Sequence, residues 1–468
     1  MKRFTSALML LVILASMLAA CGGTTASPSG SGAASPAASA PAASASPAAS
    51  TPAESPAASE SPAASESPAA SESPAASTAA SPATSETAAA AAELPNIEGL
   101  DLGTIKIASQ TPLSGPQSAL GTGIRNGAEL AIEQMNERLG ANFQFAPYDD
   151  QATEDIGASN ANQIAADQDI MCVAGHLNSG VALASLPTYK NASLLMISPA
   201  NTNVRITDDF GANPAYRIVG RDDVQPAVAE AHARDALGVK SVYILHDKTA
   251  YGQGVADFFR QLAEKDGITI AGFEGTDEKS VFDPVLNPIL AAQPDAVFWG
   301  GIYSEGGPLL KQMREKGIQA KFLGTDGLDS SELARLAGEA AVGVNYVTIA
   351  GPVNQYPAAA KFSEDYQAKY NTATPAFAAQ GYDVAALCAI AIAKAAEKAN
   401  GRPTRQQVLE AMKEVSPYEG VTGSVTFDEK GDRVPATYFI IDVKTGDPAQ
   451  WDAQNTIINK IDIAPTGQ

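Results

Sequence analysis

Few side chains in this sequence are arranged for bond-making chemistry. The three histidines, His176, His232 and His246, lie far apart, and there is no Cys-x-x-Cys, His-Glu-x-x-His, Gly-x-Ser-x-Gly or Walker phosphate loop. Gly121-Thr-Gly123-Ile-Arg-Asn-Gly127 lacks the spacing of a dinucleotide fingerprint, and its glycines suit a helix entry instead. The paired acids Asp149-Asp150 and Asp208-Asp209 fall in loop-like stretches, where solvation or capping accounts for them. No nucleophile stands beside a base and no dense donor cluster suits a metal. The sequence therefore predicts neither an enzyme nor a metal or cofactor site.

Three loops suit a different task, holding a small molecule by its charges. The run Gly175-His-Leu177-Asn178-Ser179-Gly180 leads from an apolar stretch into a helical pattern. A Ser-Gly helix start offers a hydroxyl, free N–H groups and the positive end of the helix dipole, which match a carboxylate. Ser179 alone also reads as an N-cap. Ser198-Pro-Ala200-Asn-Thr202 offers a backbone carbonyl and the Thr202 hydroxyl. Asp326-Gly327 could hold an ammonium group, although the same pair is a common turn.

These loops need a scaffold, and the pattern around them supplies one. Strand patterns fall at Thr104–Ser109, Phe143–Tyr148, Met171–Ala174, Leu194–Ile197, Ser241–His246, Thr269–Phe273, Ala296–Trp299, Phe322–Thr325 and Asn345–Ile349. Helical patterns lie between them at Gly123–Arg138, Ile156–Ala166, Val181–Tyr189, Gln225–Leu237, Gly252–Lys265 and Gly306–Lys316, with another at Ala379–Asn400. Strands separated by helices of about ten to fifteen residues imply βαβ units and parallel sheets. In such sheets ligands bind beyond the carboxyl ends of the strands, where all three loops sit.

The 468-residue chain is uneven along its length. Lys2-Arg3, the apolar Phe4–Leu18 and the small residues before Cys21 read as a signal segment ending in a lipobox-like Leu18-Ala-Ala-Cys21. The implied partner is the lipid bilayer, through an acylated Cys21, and the implied location is outside the cytoplasm on the cell membrane. Residues 22–93 are almost entirely Ala, Ser, Pro, Thr and Glu, with a hexad Ser-Pro-Ala-Ala-Ser-Glu repeating from Ser55, and read as a disordered tether. The net charge is −21; setting aside the leader and tether leaves 29 bases against 46 acids. So acidic a body, without a basic run, argues against nucleic acid as a partner. Cys172 and Cys388 read as two buried free thiols; outside the cytoplasm a disulfide between them is also permitted.

Taken in order, Leu113-Ser-Gly-Pro116, Tyr148-Asp-Asp150, Gly175-His-Leu177, Ser198-Pro-Ala200, His246-Asp-Lys248 and Tyr251-Gly252 resemble the leucine/isoleucine/valine-binding proteins. Trp299-Gly-Gly301, Gly338-Glu339-Ala340 and Phe427-Asp-Glu-Lys-Gly-Asp432 extend the likeness across residues 102–445. The resemblance implies an α/β, type I periplasmic-binding-protein clamshell of two Rossmann-like lobes joined by three crossovers. It places lobe 1 at 102–220 plus 351–430 and lobe 2 at 221–350 plus 431–468. It implies a monomer that captures an amino-acid-like ligand for an ABC permease, with a sensory receptor of the same fold as the alternative. Ser179 and Thr202 would meet the ligand's carboxylate, and the Ala200 carbonyl and Asp326 its ammonium. Tyr251 would close over it from the second lobe. Leu120, Leu177, Asn178, Ile302, Tyr303 and Phe377 would surround the rest. The chain departs from the family at Leu120 and Ile302, where tyrosines are usual, at Asp326, which replaces a glutamate, and at Asn178, which replaces a disulfide-bonded cysteine. The groups that recognise an amino-acid backbone are thus retained, while those around the side chain differ.

Overall fold

The computed structural model describes residues 94–356 and 358–464. The leader, the tether and the acylation reading at Cys21 lie outside the described residues. Among those described, the chain builds two sheets. The first holds β1 (Lys106–Thr111), β2 (Gln144–Asp149), β3 (Ile170–Gly175), β4 (Leu195–Ser198) and β5 (Ala215–Arg217), all parallel, in the order β2-β1-β3-β4-β5. The second begins with β6 (Ser241–His246), β7 (Thr269–Gly275), β8 (Ala296–Gly300), β9 (Lys321–Gly324) and β10 (Asn345–Thr348), parallel in the order β7-β6-β8-β9-β10. A hairpin of β11 (Tyr418–Gly420) and β12 (Gly423–Val425) follows. Two antiparallel strands, β13 (Ala436–Asp442) and β14 (Thr456–Ile463), then extend the second sheet beyond β10.

Both sheets reverse their strand order beside their first strand, β1 in one and β6 in the other. Loops leaving the carboxyl ends on either side of that reversal diverge and leave a crevice. The expected loops lie there: the segments after β3 and β4 in the first sheet, and after β6, β8 and β9 in the second.

Burial on both faces explains the apolar strands. All six residues of β3, Ile-Met-Cys-Val-Ala-Gly, are buried, as a parallel strand covered by helices requires. The long helices Ser118–Leu139 and Ala378–Ala399 pack together on the first sheet. Their close approach depends on small residues, since a Cβ on Gly127 would overlap the Ala378 carbonyl. The chain crosses from the first sheet to the second after β5 and returns after β10, when helix Ala378–Ala399 rejoins the first. It crosses again before β13, so three crossovers join the lobes.

The structure corrects one expectation. Cys172 and Cys388 are not free thiols but a disulfide, with Cα atoms 5.8 Å apart. The helix Ala378–Ala399 lies directly across β3, which puts both sulfurs in one buried layer. Several short elements also escaped the sequence patterns. Strand β5 has three residues, and β14 is mostly exposed or half-buried, so neither shows a clean apolar period. Helix Asp283–Ala292 carries Pro284 and Pro288, which weigh against a helix in any local reading.

The third crossover contains a buried ion network. Arg217 and Asp432, both essentially inaccessible, pair directly, and Arg221 Nη1 bonds the other Asp432 oxygen at 2.7 Å. Thr207 donates to both Asp432 oxygens at 2.9 Å. Arg217 also donates to the carbonyls of Asn201 and Asn203 at 3.0 and 2.9 Å, so the network grips the loop that carries Thr202.

Candidate ligand-binding site

The β3 loop enters helix Ser179–Asn191 with Asn178, rather than Ser179, at the cap position and Ser179 as the first helical residue. The first-turn N–H groups have no partners within a helix and face outward from its start. Asn201 sews this loop to the next: its Oδ1 accepts from His176 N at 3.1 Å, and its Nδ2 donates to Leu177 O at 2.9 Å. Ser198 Oγ in turn accepts from the N–H groups of Ala200 and Asn201 at 3.2 and 2.7 Å, which fixes the turn that presents the Ala200 carbonyl.

The second lobe contributes Tyr251 and Asp326. Helix Ala250–Lys265 is capped by Thr249, whose Oγ1 accepts from Gly252 N at 2.9 Å, and this sets Tyr251 in the first turn. The Tyr251 hydroxyl donates to Asp326 Oδ1 at 2.8 Å and accepts from Gly327 N at 2.9 Å. Gln225 Nε2 donates to the same Asp326 oxygen at 3.0 Å. Burial pushes the Asp326 carboxyl up to about 6, against the pull of these two hydrogen bonds. Burial and the neighbouring Asp326 charge hold the Tyr251 phenol well above its usual range, so it remains a donor.

A small cavity lies between these groups. Leu120, Leu177, Asn178, Ser179, Ala200, Tyr251, Ile302, Asp326 and Phe377 line it, together with Gly327, which the sequence did not single out. Thr202 and Tyr303 stand outside this lining. Thr202 is buried, and its hydroxyl has no hydrogen-bond partner among the described residues. Tyr303 donates instead to the Pro116 carbonyl at 2.9 Å, across the cleft. A second contact between the lobes joins Asn203 Nδ2 to the Ala250 carbonyl at 2.7 Å. Asn178 Nδ2 donates to Gln117 at 2.7 Å, while its Oδ1 is buried without a hydrogen-bond partner among the described residues.

The cavity has distinct ends. The helix start at Ser179 favours an anion, Asp326 favours a cation, and Leu120, Leu177, Ile302 and Phe377 supply apolar walls. Phe377 is held at φ +65°, an uncommon conformation for a bulky residue. A wider crevice adjoins it, and Leu120 and Phe377 line both spaces. These two side chains therefore form the wall between the two.

The histidines do not converge. His176 stacks on Tyr189, with Asp150 at 3.9 Å; His232 bonds Asn345 at 2.8 Å; His246 lies against Phe273. Among the described residues no group of three or more His, Cys, Asp or Glu side chains could hold a metal ion. Gln225 and Asn201 escaped the sequence reading because nothing local marks them. Each acts on a residue brought near only by folding.

A family model for periplasmic binding protein matches residues 104–448. The Leu/Ile/Val-binding protein homolog 1 of Brucella abortus is 34% identical over 326 residues, covering 69% of this chain and 85% of that protein. A leucine-, isoleucine-, valine-, threonine- and alanine-binding protein of Pseudomonas aeruginosa is 32% identical over 333 residues, 70% of this chain and 87% of that one. Among solved structures, a leucine-binding protein of Thermotoga maritima superposes with a TM-score of 0.69 at 26% identity, covering 76% of this chain and 99% of that one.

Proposed function

This chain belongs to the periplasmic binding protein family, and from that premise we propose that it captures an amino acid outside the cytoplasm for an ABC importer. The family binds solutes and does not transform them. One observation carries the ligand reading: one cavity has a helix start at Ser179 and a buried acid at Asp326, with apolar walls around them. A zwitterion with an apolar side chain satisfies all three features. The Brucella relative is named for leucine, isoleucine and valine, and the Pseudomonas relative for these with threonine and alanine, which supports an amino-acid ligand.

In this reading lobe 1 comprises 102–220 plus 351–430 and lobe 2 comprises 221–350 plus 431–468, and the crossovers serve as the hinge. Thr202 completes the carboxylate site when ligand is bound, and Tyr303 acts from the rim by latching to Pro116. The protein works as a monomer. Titration calorimetry against L-leucine, L-isoleucine and L-valine tests the proposal, with the matching carboxylates that lack an amine as controls. Binding of at least one amino acid, with the control much weaker, is the expected result. Tight binding of the carboxylate alone would overturn it.

The membrane attachment is a separate part of the proposal and rests on Leu18-Ala-Ala-Cys21. Cys21→Ser is expected to release the protein from membranes or block its maturation, while ligand affinity stays unchanged. One acyl chain gives only marginal binding and two or more hold firmly. A variant that still sediments with membranes after a high-salt wash would show that another feature anchors the chain.

A further inference from the structure

The first crossover holds two buried polar side chains that the amino-acid reading does not use. Gln225 is completely inaccessible, and its Nε2 lies 3.0 Å from Asp326 Oδ1 and 3.3 Å from Asp222 Oδ1. Its Oε1 accepts from the Asp326 backbone N–H at 3.4 Å. One amide thus holds both the side chain and the main chain of the ammonium-binding acid. Asp222, also inaccessible, donates its backbone N–H to the Thr202 carbonyl at 2.9 Å. Asp222 Oδ2 and Thr202 Oγ1 are both buried without a hydrogen-bond partner among the described residues. Four residues of hinge therefore touch one group from each end of the proposed site.

We propose that Gln225 is a positioning residue that aims Asp326 at the ligand's ammonium, with Asp222 Oδ1 as the second anchor of its amide. This rests on the amino-acid reading of the cavity and extends it to residues that do not line it. Tyr251 and Gln225 both occupy Oδ1 of Asp326, which leaves Oδ2 for the ligand.

Titration calorimetry on the full chain with L-leucine, 4-methylpentanoate, which lacks the amine, and 3-methylbutylamine, which lacks the carboxylate, separates the two ends. Loss of a hydrogen bond to a charged group predicts that Gln225→Leu weakens L-leucine and 3-methylbutylamine by about tenfold to a hundredfold. The same variant should leave 4-methylpentanoate within about threefold, an allowance well under one hydrogen bond. Equal losses across the three ligands would overturn the assignment. Should Gln225→Leu fail to fold, Gln225→Met removes the same amide from a similar volume.

A ligand-free measurement runs beside these. The carboxyl carbon resonance of Asp326, identified by its loss in Asp326→Asn, should titrate about one to two pH units higher in the Gln225 variant. An unchanged midpoint would take this role from Gln225. If the wild type binds none of the three compounds, L-leucine is not its ligand, and this titration decides on its own whether Gln225 governs Asp326.

Discussion

Asp326→Ala weakens amino-acid binding by roughly thirtyfold to several thousandfold, because it leaves the ligand's ammonium buried without its counter-charge. Truncating one partner of a buried charge pair costs about 2–5 kcal/mol, and each ~1.4 kcal/mol is tenfold in affinity. The loss falls on every amino acid alike, since Asp326 meets the part they share. Leu120→Ala, Ile302→Ala and Phe377→Ala act differently. Each removes apolar wall, and at Leu120 and Phe377 the space opened adjoins the larger crevice. These variants re-rank ligands by side-chain size, with longer side chains gaining. Calorimetry of both groups across an amino-acid panel decides the matter. Near-wild-type affinity in Asp326→Ala would take Asp326 out of the site.

The same carboxyl makes binding depend on pH. Burial has raised Asp326 to about 6, so above that value it is ionised before the ligand arrives. Below it, an arriving ammonium must displace a proton. Affinity therefore falls as pH drops through about 6, approaching tenfold for each further unit. In Asp326→Asn that dependence disappears.

Asp432→Ala destabilises the protein by about 3–5 kcal/mol, the usual effect of breaking a buried ion pair from one side. Arg217 has 0% exposure, and removing Asp432 strips it of its paired carboxylate, while Arg221 keeps Asp208 and Asp223. The arginines also hold the ligand loop through Asn201 and Asn203, so affinity drops along with stability. Denaturant midpoints for each lobe, followed by separate probes, measure the first effect. A combined Arg217→Met, Asp432→Leu replacement should lose less stability than Asp432→Ala alone, because no charge is then left unpaired. A loss under about 1 kcal/mol in Asp432→Ala would mean that solvent reaches the pair.

Alternation of strand and helix patterns was enough to predict two parallel sheets, because the period of apolar residues is a local property of the backbone. The ligand loops were legible for a similar reason. Ser179 follows an apolar strand and opens a helix, and Asp326-Gly327 ends another strand, so chemistry and position are written within a few residues. What the sequence did not determine is which distant residues meet. Cys172 and Cys388, separated by 216 positions, read as independent thiols until helix Ala378–Ala399 is laid across β3. Tyr303 reads as a ligand contact, and only the closed cleft places its hydroxyl on Pro116. Gln225 is an unremarked helix-start residue until the crossover delivers it to Asp326, 101 positions away. Each of these pairings depends on how helices settle on sheets and lobes on each other. That packing is set by the whole chain, and no short window of sequence encodes it.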